Sequence, residues 1–73
     1  MKTYVELIRE LREDSDKTQK QIAEMLGIRQ NVYSRYECAQ AELPIRHLIK
    51  LANYYNVSTD YILGHTKNKQ ILK

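Results

Sequence analysis

The chain has few residues that interrupt a helix, and it lacks phenylalanine and tryptophan altogether. Its 73 residues include one proline, Pro44, and two glycines, Gly27 and Gly64. So few breakers, with apolar residues recurring at three- and four-residue spacings, predict helices throughout and an all-α fold. The single cysteine, Cys38, excludes an internal disulfide and has no partner for a metal site. The two histidines, His47 and His65, lie far apart and read as surface residues rather than ligands. No metal or other cofactor is expected. No apolar run approaches the roughly 20 residues that span a bilayer, so no membrane partner is expected either. The opening MKTYVELIRE carries acids where a secretory signal has its apolar stretch, which points to the cytoplasm. No nucleophile, base and acid cluster together in the pattern of an enzyme site.

What is present suits one small domain. A chain this short must commit most of its apolar residues to the core, leaving few to line a substrate cleft. Its charge is unevenly spread. Residues 1–16 hold three bases and five acids, a net of −2, whereas residues 17–73 hold nine bases and four acids, a net of +5. That asymmetry suits a protein with one face toward a polyanion. The expected division is a domain over residues 1–64 and a basic tail over residues 65–73.

Five helices are expected. The first runs from Thr3 to Glu13, with Val5, Leu7, Ile8 and Leu11 as its apolar stripe. The second starts at Thr18, which has Gln21 three residues on in the spacing of a capping box, and ends at Gly27. The third covers Gln30 to Glu37. Pro44 suits the first turn of a fourth, with Leu48, Ile49, Leu51 and Ala52 inward, to about Tyr55. Ser58 is the N-cap of a short fifth helix through Leu63, closed by Gly64. The expected core is Leu7, Ile8, Leu11, Ile22, Ala23, Leu26, Ile28, Tyr33, Leu48, Leu51, Ala52, Val57, Tyr61, Ile62 and Leu63. Tyr33, Tyr36 and Tyr61 read as structural, each with its hydroxyl near the surface. Tyr54 and Tyr55 are candidates for a partner surface.

The densest signal lies between Gln19 and Glu37. Two short helices meet at Gly27 with almost no loop between them. Ala23 is small enough for the helices to cross, and Ile22, Leu26, Ile28 and Tyr33 fix their angle. A helix-turn-helix holds its second helix out in this way to enter a major groove. With Tyr33 and Tyr36 pointing inward, Gln30, Asn31, Ser34 and Arg35 are left outside, with Arg29 just before them. Gln and Asn pair bidentately with adenine, Arg with guanine, and Ser with several base edges. Val32, at the edge of this face, can touch a thymine methyl. The N-terminus of the second helix favours an anion, which places Thr18, Gln19 and Lys20 at a phosphate. Arg46, at the start of the fourth helix, is a candidate for a second.

The segment TQKQIAEMLGIRQNVYSRYE resembles the helix-turn-helix of the phage repressor and Cro family, also called the xenobiotic response element (XRE) family. LPIRHLIKLANYYNVSTDYILG resembles the fourth and fifth helices of that domain, and VELIRELRED the first. The resemblance implies a compact five-helix fold of the lambda-repressor type that binds operators as a dimer. It implies a phosphate contact for Gln19, base contacts for Gln30, Asn31, Ser34 and Arg35, and a partly buried ion pair between Arg12 and Glu37. Three positions depart from the family pattern. Arg29 stands where Ser or Thr usually caps the third helix, which leaves it to a phosphate or a base. Ala39 stands where glycine is usual. Cys38 stands where a polar phosphate-contacting residue is common, and reads as an incidental small residue.

The expected function is therefore sequence-specific transcriptional repression of a double-stranded DNA operator by a homodimer. The rival is an antitoxin-like or antagonist module that uses the same fold to bind another protein. The apolar tail residues Ile71 and Leu72, with Tyr54 and Tyr55, keep that rival open.

Overall fold

The computed structural model describes residues 3–66. The tail pair Ile71 and Leu72 lies outside the described residues. Five helices follow one another: α1 (Tyr4–Asp14), α2 (Gln19–Leu26), α3 (Gln30–Glu37), α4 (Ile45–Tyr55) and α5 (Thr59–Ile62). No helix among the described residues is long and apolar enough to cross a membrane. Each helix sends one side chain to the centre of the core. Ile8, Ile22, Tyr33, Leu51 and Ile62, one from each of α1 to α5, are fully buried. Fully burying such a side chain is worth about 1.5–3 kcal/mol, so no helix is held by a single neighbour. α2 packs on α3, α1 on α3 and α5, and α4 on α2 and α5.

The helix starts follow their sequence signals in three cases. The Thr3 hydroxyl accepts from the Glu6 N–H at 3.4 Å, and the Ser58 hydroxyl accepts from the Tyr61 N–H at 3.0 Å. At α2 the capping box is complete: the Gln21 N–H donates to the Thr18 hydroxyl at 3.1 Å and the Thr18 N–H to Gln21 Oε1 at 2.8 Å. α3 and α4 start from Arg29 and Pro44, neither of which makes a side-chain cap. Pro44 thus precedes α4 as its N-cap instead of occupying its first turn.

All five helices end in the same way. A backbone N–H reaches back five residues to a carbonyl: Lys17 to Arg12, Ile28 to Ala23, Gln40 to Arg35, Val57 to Ala52 and His65 to Asp60, at 2.8–3.1 Å. This is the Schellman closure, and it needs a left-handed residue just before the donor. Those residues are Asp16, Gly27, Ala39, Asn56 and Gly64, with φ between 56° and 81°. Asp and Asn tolerate that region through local hydrogen bonding. Gly27 is required for conformation and not for space, since a Cβ there would meet nothing within 4 Å. Ala39 has neither advantage, yet it holds the geometry that glycine would.

Several burial expectations are corrected. Ile28 and Tyr61 are half-buried at the core's edge, and Leu63 caps α5 and is exposed. Ile49 faces solvent, as does Ile45. Val5 and Tyr36 join the core, and so does His47, at 4% exposure. Residues 47, 51 and 55 form an i, i+4, i+8 row, and that row is turned inward. The His47 ring lies 6.1 Å from that of Tyr36, and neither ring nitrogen has a hydrogen-bond partner. Burial, with lesser repulsion from Arg46 and Lys50, holds its pKa below the usual histidine value.

Two outcomes follow. A non-glycine residue in the left-handed region costs roughly 1–2 kcal/mol, part of which glycine would return as lost chain entropy. Ala39→Gly should therefore raise stability by about 0.5–1 kcal/mol, read as an increase in melting temperature; a decrease would contradict the strain. His47 gives up its proton more readily in the fold than in the unfolded chain, which takes one up as pH falls through about 6.5. The unfolded state then binds more protons, so stability falls with pH below that point. Thermal melts between pH 7.5 and 5.5 should show this loss, and His47→Leu should flatten it.

Candidate nucleic-acid interface

Three helices meet at one carboxylate. Glu37, the last residue of α3, is only 2% exposed at its side chain. Arg12 of α1 reaches it through both edges of a fork: Nε donates to Oε2 at 2.7 Å and Nη2 to Oε1 at 3.0 Å. The third guanidinium nitrogen, Nη1, donates to the Lys17 carbonyl at 3.0 Å. From α2, Gln19 Nε2 donates to Glu37 Oε1 at 3.1 Å. A planar fork suits a carboxylate better than an ammonium would.

The charges respond accordingly. Burial pushes the Glu37 carboxyl up, but the bonds from Arg12 and Gln19, with the Tyr33 hydroxyl close by, outweigh it, so its pKa lies below the ordinary glutamate value. The bond to Glu37 likewise raises the Arg12 pKa against a smaller effect of burial. The Tyr33 hydroxyl is not near the surface: its oxygen is buried and closes no hydrogen bond of ordinary geometry, though it lies close enough to help hold Glu37 ionised. Burial and the nearby carboxylate both oppose its ionisation. The Tyr55 hydroxyl is also buried, with its ionisation opposed by burial and then by Glu37. Tyr55 thus turns inward, edge-on to Tyr54, and only Tyr54 of that pair is exposed.

The carboxylate hub sits behind the outward face of α3. At about 100° per residue, Tyr33, Tyr36 and Glu37 fall together on the buried side. Asn31 and Arg35 lie on the opposite side and Ser34 flanks them, whereas Gln30, in the first turn, falls only about 20° from Glu37 around the helix. Gln30, Asn31 and Arg35 are exposed, Ser34 and Val32 half-buried. Arg29 is exposed at the start of the helix, its side chain uncommitted to a cap. The two helices of the motif are joined through Gly27 and pack on one another, and Ala23 of α2, 1% exposed, belongs to the core.

The phosphate candidates are more varied. Lys20 and Arg46 are exposed, on the first turns of α2 and α4. Thr18 is exposed but its hydroxyl serves the capping box. Gln19 is half-buried, with one amide N–H engaged by Glu37. That link, across 18 residues of sequence, had no local signal. Cys38 is exposed as the C-cap of α3. No group of three or more metal-ligating side chains occurs among the described residues.

Removing one partner of a buried, hydrogen-bonded pair leaves the other charge uncompensated and costs roughly 3–5 kcal/mol. Glu37→Ala should therefore lower the melting temperature sharply; a midpoint equal to wild type would show that the pair carries no structural weight.

A Helix-turn-helix family model matches residues 8–62. The uncharacterized HTH-type transcriptional regulator YobD of Bacillus subtilis is 41% identical over 63 residues, which cover 86% of this chain and 56% of YobD. The HTH-type transcriptional regulator ImmR of the same organism is 46% identical over 57 residues, 78% of this chain and 45% of ImmR. The chain thus spans about half the length of these relatives. Among solved structures, a transcriptional regulator from Listeria innocua superposes with a TM-score of 0.82 at 25% identity, over 97% of this chain and 64% of that one. The P22 c2 repressor, solved with a synthetic operator, superposes at 0.80 and 24% identity over 90% of this chain and all of the repressor chain. With a family match across most of its length, and a fold shared with a phage repressor, the chain belongs to the helix-turn-helix family.

Proposed function

We propose that the domain binds duplex DNA as a transcriptional regulator of the repressor kind, with α3 in the major groove. The observation that carries this reading is the outer face of α3, where Gln30, Asn31, Ser34 and Arg35 stand side by side with no part in the core. Four hydrogen-bonding side chains, three of them exposed and Ser34 half-buried, match the donor and acceptor pattern of base edges. The relatives named as transcriptional regulators, and the P22 repressor solved on an operator, support it.

In this reading Arg29 reaches a base or a phosphate ahead of the reading face. Thr18, Gln19 and Lys20 meet one phosphate at the start of α2, and Arg46 meets another. These backbone contacts set register and supply salt-dependent affinity without reading sequence. The protein acts as a symmetric dimer on half-sites one turn, about 34 Å, apart. A second reading, a module that docks a protein partner, is favoured by Ile45 and Ile49, one turn apart on α4 and both exposed.

Titration with random duplex DNA at low salt separates the two: no binding would favour the docking module. Selection from a random DNA pool should then return a palindrome. Gln30→Ala and Asn31→Ala should each relax base preference by roughly 1–3 kcal/mol per position. Lys20→Ala and Arg46→Ala should weaken all sites alike and lower the salt slope by about one each. Unchanged base preference in the Gln30 and Asn31 variants would mean that the reading face lies elsewhere.

A further inference from the structure

Gln19 is the first residue of α2, beside the cap where the DNA-binding reading places a phosphate. A free glutamine side chain there would lose rotamer freedom each time it bound. This one is already held, since one amide N–H is tied to Glu37 Oε1 at 3.1 Å while the other hydrogen and the carbonyl oxygen make no hydrogen bond among the described residues. Glu37 can spare that oxygen because Arg12 has balanced its charge through Nε and Nη2. The same guanidinium grips the Lys17 carbonyl, on the segment leading into α2. One ion pair therefore fixes both the start of α2 and the direction of its first side chain.

We propose that Glu37 is a positioning residue for DNA-backbone binding, holding the Gln19 carboxamide so that its remaining N–H meets the phosphate at the start of α2. This rests on the DNA-binding reading above. The role has a sign that opposes simple electrostatics. A carboxylate behind a DNA-binding face repels the polyanion, so on charge alone its removal tightens binding. Loss of a positioning group loosens it, because the glutamine must then be immobilised on binding.

The test is a double-mutant cycle on binding of the full chain to a random-sequence duplex at low salt. It is run at a temperature where circular dichroism shows each protein folded. Glu37→Gln and Gln19→Ala should each weaken binding about three- to tenfold, the cost of ordering one such side chain. The double variant should bind no more weakly than the weaker single one. Tighter or unchanged binding by Glu37→Gln, or losses that multiply in the double variant, overturns the proposal. Failure of the unmodified protein to bind the duplex overturns the DNA-binding reading itself, and this proposal with it. A second measurement does not depend on Glu37→Gln folding. In the unmodified protein, the order parameter of the Gln19 side-chain amide should exceed about 0.6, the flexible limit, and that of exposed Gln30 should fall below it. Equal mobility of the two amides would sink the positioning role.

Discussion

The buried carboxylate of Glu37 is the constraint around which the helix-turn-helix is arranged. An ionised group at 2% exposure is costly unless every lone pair finds a donor. Arg12 and Gln19 supply those donors from two other helices, and Tyr33 adds its nearby hydroxyl. Three segments far apart in sequence must therefore arrive together before the charge is tolerable. Apolar contacts between α2 and α3 could be satisfied over a range of rotations, because dispersion and burial have little direction. A bidentate fork at 2.7 and 3.0 Å does not allow that range. The core supplies the stability of the motif, and the ion pair narrows its geometry. The same division explains why breaking the pair is expensive even where an apolar replacement of both partners need not be.

The ends of the helices impose the second constraint. Five helices in a chain this short leave connections of only a few residues, and each must reverse the chain sharply. One closure, repeated five times, does so. Glycine takes the left-handed position only twice. Asp16 and Asn56 take it at moderate cost, and Ala39 at a higher one. The closure after α3 survives the loss of glycine because the Gln40-to-Arg35 bond and the packing of Tyr36 and Glu37 determine it from both sides.

The parts of this architecture that could be read from the sequence were the local ones. Thr18 with Gln21, Gly27, and Ser58 mark helix ends within four residues, and the structure places helix ends at those points. The exposed face of α3 follows from its period once Tyr33 and Tyr36 are placed inside. The misreadings came from judging residues by type before angle. Apolar character alone points Ile49 inward, and the lack of a nearby metal-ligating partner points His47 to the surface. The row 47, 51, 55 turns the histidine in, and α4 leaves the isoleucine out. Tyr55 sits on that same row, which explains its buried hydroxyl. Long-range pairings had no local signature. Arg12 and Glu37, 25 residues apart, were expected only through family resemblance. The tie from Gln19 to Glu37 was not expected at all.

The two helices without side-chain caps deserve comparison with the three that have them. A Ser or Thr N-cap is worth about 1 kcal/mol, which matters in a small domain. Thr3, Thr18 and Ser58 provide it for α1, α2 and α5. α3 begins instead with Arg29, a cation at the positive end of a helix dipole, which lowers the stability of the free protein. Among the described residues its exposed side chain makes no hydrogen bond or ion pair that would compensate. An anion beside that helix start would reverse the balance, pairing with the guanidinium and with the uncapped amides together. α4 begins with Pro44, also without a side-chain cap, and its exposed Arg46 adds a second cation to a helix start. The two helix starts without side-chain caps are therefore ones where the DNA-binding reading brings in phosphates, so the ligand would complete what the folded chain leaves open.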